Sequence, residues 1–364
     1  MKIAIVTVYD GLNHGSFLQA YALKTYLEEL GHEVSFLQRM EPQETLNMFT
    51  VKKPETECDI LHKIWRKCKK IVQIKKIYRE IKYVKIKFKY YEKAWENFNI
   101  ITKNELKNID CIICGSDEIW NIKNAYIDIK FYTCCGYGKK IRKIAIAISC
   151  GNSKYSDILE EREVIKAIKE FDTLLARDNN TKYILEKIQN KKINIVCDPT
   201  LLIDKQYYLE NKDPIISGKY ILVYSYMLTK KQEIIIKEYA RKNKLEIISA
   251  CSELKIADKN IVISPLDFAN LMKNAECCFT TTFHGAIFAM LFAKRFCCFA
   301  AFPKVKDVVE TCGAKYHLWD GLNEKIFDEI MGKDIDRKKL DNNIEIFRDS
   351  SRKLINDVLI EREK

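Results

Sequence analysis

The chain has 364 residues, 47% of them hydrophobic, with 14 cysteines and a formal net charge of +12. No apolar run approaches the roughly 20 residues that cross a bilayer, which excludes a spanning helix, and the length suffices for two hydrophobic cores. The positive balance suits an anionic substrate, an anionic membrane surface or nucleic acid; no helix-turn-helix, zinc finger or aromatic RNA-binding pattern supports the last of these.

In chain order, Lys2 to Val8 reads as a buried parallel strand and Ser16 to Leu30 as an amphipathic helix closed by Gly31. The leading apolar stretch ends at Asp10 without a cleavage-type tail, so a cytoplasmic protein is expected. The loop Asp10-Gly11-Leu12-Asn13-His14-Gly15 is neither a GxGxxG turn nor a Walker loop, which argues against a dinucleotide or nucleoside triphosphate held in the usual way. Its Asn13 and Gly15 are instead candidates to shape a substrate cleft, because ligands gather at the carboxyl ends of strands in such sheets. His32 to Gln38 is the second strand, and the polar stretch Met40 to Glu57, with Pro42 and Pro54, is expected to be a mobile loop.

From Lys63 to Lys93 the sequence carries thirteen Lys or Arg against two acids, Glu80 and Glu92. Apolar residues at Ile64, Cys68, Ile71, Ile74, Tyr78, Ile81, Val84, Phe88, Tyr91 and Trp95 step by three and four, describing one or two helices with an apolar seam and a basic back. This insertion, about residues 58–97, either packs its seam on the domain and solvates its lysines, or offers a basic surface to anionic lipid head groups or a lipid-linked diphosphate.

The strands then resume. Asp110 to Gly115 leads to Asp117, Lys143 to Cys150 contains Ser149 and ends at Gly151, and Thr173 to Ala176 ends at Arg177. In a doubly wound sheet such strand ends line one edge, so Asp117, Ser149, Gly151 and Arg177 converge on one crevice. Arg177 suits a bidentate grip on a carboxylate or phosphate, and Asp117 reads equally as a site residue or a helix N-cap. Most cysteines (Cys111, Cys114, Cys150, Cys197, Cys277, Cys278, Cys297, Cys298) lie in apolar runs and read as buried, reduced thiols. Cys111 and Cys114 have metal-knuckle spacing but no second such pair to complete a ligand set, so no metal is expected.

A second series starts at Tyr220 to Tyr226, continues through a helix Lys231–Asn243, strands at Glu246–Ala250 and Ile261–Ser264, and a helix Pro265–Asn274, and reaches the strand-turn-helix Cys277 to Phe296. There an apolar strand meets His284-Gly285-Ala286 and turns at once into helix. The first backbone N–H groups of a helix lack internal partners and carry its positive dipole end, so an anion is welcome at His284, Gly285 and Ala286. Phe296 to Ala301 is a further strand, and Lys338 to Glu363 a helical tail of alternating charge. The fold class is thus α/β, with two Rossmann-like domains facing across a cleft: residues 1–204, residues 205–337, and a C-terminal helix, 338–364, returning to brace the first.

The segments NHGSFLQAYAL (Asn13 to Leu23), GSDEIWN (Gly115 to Asn121), ISCGNS (Ile148 to Ser153), ARDN (Ala176 to Asn179), CDPTLL (Cys197 to Leu202), ISPLDF (Ile263 to Phe268) and TFHGAIFAML (Thr282 to Leu291) together resemble the polysaccharide pyruvyl transferase family. The resemblance implies a GT-B-type architecture and transfer of pyruvate from phosphoenolpyruvate to a hydroxyl pair of a sugar, forming a ketal in a bacterial surface polysaccharide precursor. It also implies a donor site at Arg177, His284 and Lys304, with no cofactor beyond the donor substrate itself. Asp178, Glu118 and Thr282 stand where the family more often has Glu, Gln and Ser. On the same frame, the alternatives are a glycosyltransferase using a nucleotide sugar and a non-catalytic member that binds glycan or membrane.

Overall fold

The computed structural model describes residues 1–50, 65–137, 141–209, 213–299 and 302–360, with side chains of 65–76 left aside. Two parallel sheets carry the chain. The first contains β1 (Lys2–Val6), β2 (Glu33–Leu37), β3 (Ile100–Ile101), β4 (Cys111–Cys114), β5 (Arg142–Ile148), β6 (Thr173–Ala176) and β7 (Asn194–Ile195). Their spatial order is β3-β2-β1-β4-β5-β6-β7. The second contains β8 (Tyr220–Tyr224), β9 (Glu246–Ser249), β10 (Lys259–Asn260), β11 (Cys277–Thr280), β12 (Phe296–Phe299) and β13 (Leu318–Trp319), ordered β10-β9-β8-β11-β12-β13. Each order reverses once, between β1 and β4 and between β8 and β11, so each sheet has a switch point at which a crevice opens beyond the carboxyl strand ends.

The inner strands read as continuous apolar runs because helices cover both faces. Within β4 the residues alternate between two cores: Cys111 and Ile113 join one, Ile112 and Cys114 the other. The CxxC pair is thereby split across the sheet. Among the described residues no group of His, Cys, Asp and Glu is placed to hold a metal ion, and no helix is long and apolar enough to cross a membrane.

Helix α1 (His14–Glu29) starts from the N-cap Asn13, whose side chain accepts from the N–H groups of Gly15 and Ser16, worth about 1 kcal/mol for such a cap. It ends before Gly31, whose φ of +82° reverses the chain without a Cβ penalty. The polar stretch expected to be a loop contains helix α2 (Pro42–Thr50), with Pro at its first position and Glu44 accepting from the Glu41 N–H. Residues 51–57 of that stretch lie outside the described residues.

The basic insertion forms one long helix, α3 (Trp65–Trp95). Of the expected seam, Ile64 and the side chains of Cys68, Ile71 and Ile74 lie outside the described residues. Phe88, Tyr91 and Trp95 are buried in the first core, and the Trp95 indole donates to the Tyr9 carbonyl at 2.9 Å. Tyr78, placed in the seam by its spacing, is exposed instead, while Lys87 is buried. Lys87 turns inward because α3 lies across both sheets' domains: Arg79 pairs with Glu253 at 3.4 Å, and the Tyr83 hydroxyl and Lys87 amine reach the carbonyls of Ile261 and Cys251.

The expected strand at Ile261–Ser264 is irregular chain, with the short β10 just before it, and the Ile261 N–H bonds the Ser249 carbonyl. The C-terminal helix Arg337–Ile360 returns to the first domain. Ser351 accepts from the Cys197 N–H, Arg348 and Arg352 donate to the carbonyls of Leu201 and Leu202, and the Tyr26 hydroxyl donates to Asn356.

Candidate functional site

The two switch points face each other, and the side chains that meet there come from strand ends of both sheets. From the first come Ser116 and Asp117 after β4, Arg177 after β6 and Asp198 after β7; from the second, His284 stands in the first turn of the helix Phe283–Phe292. Asp198 is the hub. Its Oδ2 lies 2.9 Å from Arg177 Nη1, 3.0 Å from the Ser116 hydroxyl that donates to it, and 3.6 Å from His284 Nε2. Its Oδ1 accepts from the N–H and hydroxyl of Thr200.

Burial pushes the Asp198 carboxyl up, but His284, Arg177 and the Thr200 hydrogen bond outweigh it and hold the group well below the ordinary carboxylate range. Asp198 is therefore an anion at neutral pH. Asp117 is shifted the same way, burial opposing His284, Arg177 and the Ser16 hydroxyl, which donates to it at 2.8 Å. Burial alone would weaken the Arg177 charge, yet Asp198 and Asp117 raise its pKa. Arg177 Nη2 stands 3.6 Å from Asp117, its guanidinium lies over the Phe283 ring at 4.3 Å, and its Nε makes no hydrogen bond. The two domains thus bring Arg177 and His284 onto one carboxylate oxygen.

Lys304, near the start of the helix Pro303–Thr311, pairs with Glu118 across the cleft. Glu118 also accepts from Asn121, and both crowd Gly151: a Cβ there would fall 2.5 Å from the Asn121 amide nitrogen. Gly151, at φ +57°, is thus a position where a side chain would be both strained and crowded. Ser149 donates to Asp178 at 2.6 Å and accepts from the Gly151 N–H at 3.1 Å, so both brace the strand ends next to the cluster.

Asn13 caps α1 and donates its amide to the Tyr226 hydroxyl of the opposite domain. Gly15 lies against the His284 ring. The expectation that Gly285 and Ala286 offer free N–H groups is corrected. The Gly285 N–H is capped by the Thr282 hydroxyl at 3.0 Å, and that of Ala286 bonds the Thr282 carbonyl. Nor does Gly285 make room for a ligand, since a Cβ there would meet the hydroxyls of Thr280 at 2.1 Å and Thr282 at 2.5 Å. The N–H groups left without helical partners by position are those of Phe283 and His284.

Asp198 and Ser116 were not singled out from the sequence. Asp198 follows a strand just as Arg177 does, but Pro199 and Thr200 beside it read as a turn. It does cap a short helical turn, and the same carboxylate serves the cluster.

Comparison with known proteins agrees with this architecture. The model of the polysaccharide pyruvyl transferase family matches residues 13–301. Among solved structures, the chain is similar to the UDP-bound MnaA of S. aureus (15% identity, TM-score 0.51, covering 99% of this chain and 96% of that one). It is similar also to the UDP-GlcNAc 2-epimerase of Neisseria meningitidis bound to UDP-GlcNAc (13%, 0.51, all of both chains) and to that of Rickettsia bellii (11%, 0.51, 98% and 95%). At such identities the likeness is one of fold, two Rossmann-like domains of the GT-B type. No curated protein matches the chain by sequence. The strand-end motifs, the paired switch points and a family match over most of the length lead to one conclusion: the chain belongs to the polysaccharide pyruvyl transferase family.

Proposed function

We propose that this protein moves pyruvate from phosphoenolpyruvate onto two hydroxyls of a sugar in a surface-polysaccharide precursor, giving a ketal and inorganic phosphate. The observation that carries the reading is the convergence of Arg177 and His284, from opposite domains, on Asp198 Oδ2. The donor places a carboxylate and a phosphate close together on three carbons and needs cations from more than one side. Beyond its bond to Asp198, Arg177 offers Nη2, whose contact with Asp117 is a loose 3.6 Å, Lys304 supplies the second charge by leaving Glu118, and the Phe283 and His284 N–H groups add donors from a helix end.

Chemically, a proton adds to the methylene carbon, which becomes the methyl group, while positive charge builds on the central carbon. One sugar hydroxyl attacks that carbon and loses its proton. The second hydroxyl attacks next, the C–O bond to phosphate breaks, and the second proton leaves with the phosphate. His284 delivers or takes these protons, the work in catalysis for which an imidazole is the commonest side chain. Asp198, kept anionic, orients the ring, and Asp117 stands beside Arg177. The scheme uses no metal and no cofactor besides the donor.

We place this work on the cytoplasmic face of the membrane, where a lipid-linked acceptor is presented. Helix α3 would rest there by its outward side, on which Lys82, Lys85, Lys89 and Lys93 alternate with exposed Tyr78, Ile86 and Tyr90.

Incubation with phosphoenolpyruvate and an oligosaccharide acceptor tests the reaction. Phosphate release with an acceptor mass gain of one pyruvate ketal is expected. Transfer from a nucleotide sugar with nucleotide release, or acceptor binding without turnover of either donor, would overturn it in favour of a glycosyltransferase or a non-catalytic binder.

A further inference from the structure

Of the four buried lysines and arginines among the described residues, two have a carboxylate partner and one reaches the carbonyl end of a helix. Arg177 has Asp198, Lys143 has Glu170, and Arg142 donates to the Val358 and Leu359 carbonyls at the end of the C-terminal helix. Lys87 is the exception. It is 8% exposed, its amine makes one 3.3 Å hydrogen bond, to the Cys251 carbonyl, and no carboxylate among the described residues approaches it; burial lowers its pKa, and the nearby Cys251 thiol only partly opposes that. A desolvated ammonium without an anion is costly, and proteins rarely keep one unless something supplies the missing charge.

Its surroundings repeat the pattern. His14, 1% exposed, stacks on Phe268 at 5.2 Å and shares a hydrogen bond with the Tyr224 hydroxyl through Nδ1. Its Nε2 makes no hydrogen bond of proper geometry, although the Ile263 carbonyl is near. The Tyr91 hydroxyl, fully buried, has no partner either, and the Lys87 amine lies 5.9 Å from the centre of that ring. Burial and the neighbouring Lys87 both disfavour a charge on His14. A cation, an imidazole and a phenol therefore meet between the domains with hydrogen-bonding capacity unused and, among the described residues, no carboxylate to balance them; the one acidic neighbour of Lys87, the Cys251 thiol, is pushed up to about 11 by burial.

We propose that Lys87, His14 and Tyr91 form a second anion subsite in the cleft, which takes a phosphate group of the acceptor. The inference rests on the pyruvyl-transfer reading and deepens it: the acceptor is a glycosyl phosphate or diphosphate, held by its phosphate while its hydroxyls reach the donor. The first turn of α1 is the wall common to both sites. Gly15 lies against His284 and Ser16 donates to Asp117, whereas the ring of His14, their chain neighbour, lies 5.8 Å from that of Tyr91, the ring that Lys87 also approaches. An anion there replaces the strained isolation of the ammonium with a charge-assisted hydrogen bond.

The test uses Lys87→Met in the full chain. With a sugar diphosphate acceptor, KM for acceptor should rise about tenfold or more with KM for phosphoenolpyruvate unchanged, the scale of losing one buried charge contact. With the same sugar lacking phosphate, wild type and variant should have equal KM. Equal effects on both acceptors, or none on either, overturn the proposal. A readout independent of turnover uses inorganic pyrophosphate in a Lys304→Ala background, which weakens anion binding at the donor site. Pyrophosphate should raise Tm there, and adding Lys87→Met should abolish that rise while itself leaving Tm the same or higher, because an unbalanced buried charge has gone. Should pyrophosphate act equally with and without Lys87, or should Lys87→Met lower Tm as loss of a structural clamp would, the subsite does not exist. If instead no pyruvate is transferred to any acceptor while the Lys87-dependent rise in Tm persists, it is the reaction that fails and the subsite that stands.

Discussion

Gly15 stands so close to His284 that a Cβ built on it would fall 2.2 Å from the imidazole Nδ1 and 2.6 Å from the histidine Cβ. The first domain thus sets the position of the second domain's imidazole through an absent side chain. Gly15→Ala should force the ring away from Asp198. We expect kcat to drop on the order of a hundredfold, the scale of a misplaced reacting group, with little change in far-ultraviolet circular dichroism. Activity within twofold of wild type would mean that the ring relaxes freely and that its placement is not limiting.

Arg177 and His284 should separate in how they affect stability. Arg177→Ala removes the counter-charge of the fully buried Asp198, and breaking such a pair from one side costs about 3–5 kcal/mol. His284→Ala leaves Asp198 with Arg177, Ser116 and Thr200, so the loss should be much smaller. Both variants should lose pyruvyl transfer. Urea unfolding monitored by tryptophan fluorescence measures the difference, and equal stability of the two would show that Asp198 does not depend on the guanidinium.

The depressed Asp198 pKa has a definite sign. A carboxyl lower in the folded than in the unfolded state contributes stability that is fully present above the unfolded value of about 4 and is lost as pH falls toward the folded value. Asp198→Asn removes that contribution. Its unfolding free energy should therefore lie below wild type at pH 7 and converge on it as pH drops from about 4 toward 2, measured by denaturant titration at each pH. A constant gap across that range would assign the difference to lost packing instead.

The outward lysines of α3 carry the membrane expectation. Replacing Lys82, Lys85, Lys89 and Lys93 with Gln leaves buried Phe88, Tyr91 and Trp95 untouched, so folding should be unaffected. Sedimentation with anionic vesicles should fall by roughly tenfold or more, at about 1 kcal/mol per basic residue near such a surface. Wild-type protein that ignores vesicle charge would show these lysines to be merely solvated.

The sheets were legible because their central strands are unbroken apolar runs ending in polar residues, and the crevice because those ends share one edge; Arg177, Asp117 and His284 follow from that rule. The rest depends on which element lies opposite, which no local pattern records. Helix α2 hides in a polar stretch because α3 packs against it. Lys87 reads as one more surface lysine until α3 is seen to cross to the second domain. Gly285 reads as a helix-start N–H open to an anion, yet the Thr282 hydroxyl takes it. Asp198 is hidden because an aspartate that caps a turn and one that also joins a buried charge cluster look alike in a turn sequence.

Glu118 stands where a ligand would compete with it. It pairs with Lys304 across the cleft, and among the described residues no other ion pair joins the strand-end cluster of the first domain to the helix Pro303–Thr311, although Asn179 and Asp307 hydrogen-bond nearby at 3.3 Å. An anionic donor that uses Lys304 must displace this carboxylate, so part of its binding energy is spent on separating the pair. Glu118→Gln keeps the hydrogen bond to Asn121 within reach of the side-chain carbonyl while removing the competing charge. Because the pair is partly exposed, we expect a modest effect, with KM for phosphoenolpyruvate falling about two- to fivefold and kcat nearly unchanged. The same substitution should weaken domain closure without donor, seen as a larger radius of gyration in solution scattering that donor addition reverses. A higher KM would instead make Glu118 a group that helps hold the substrate, and Lys304 would then act only together with it.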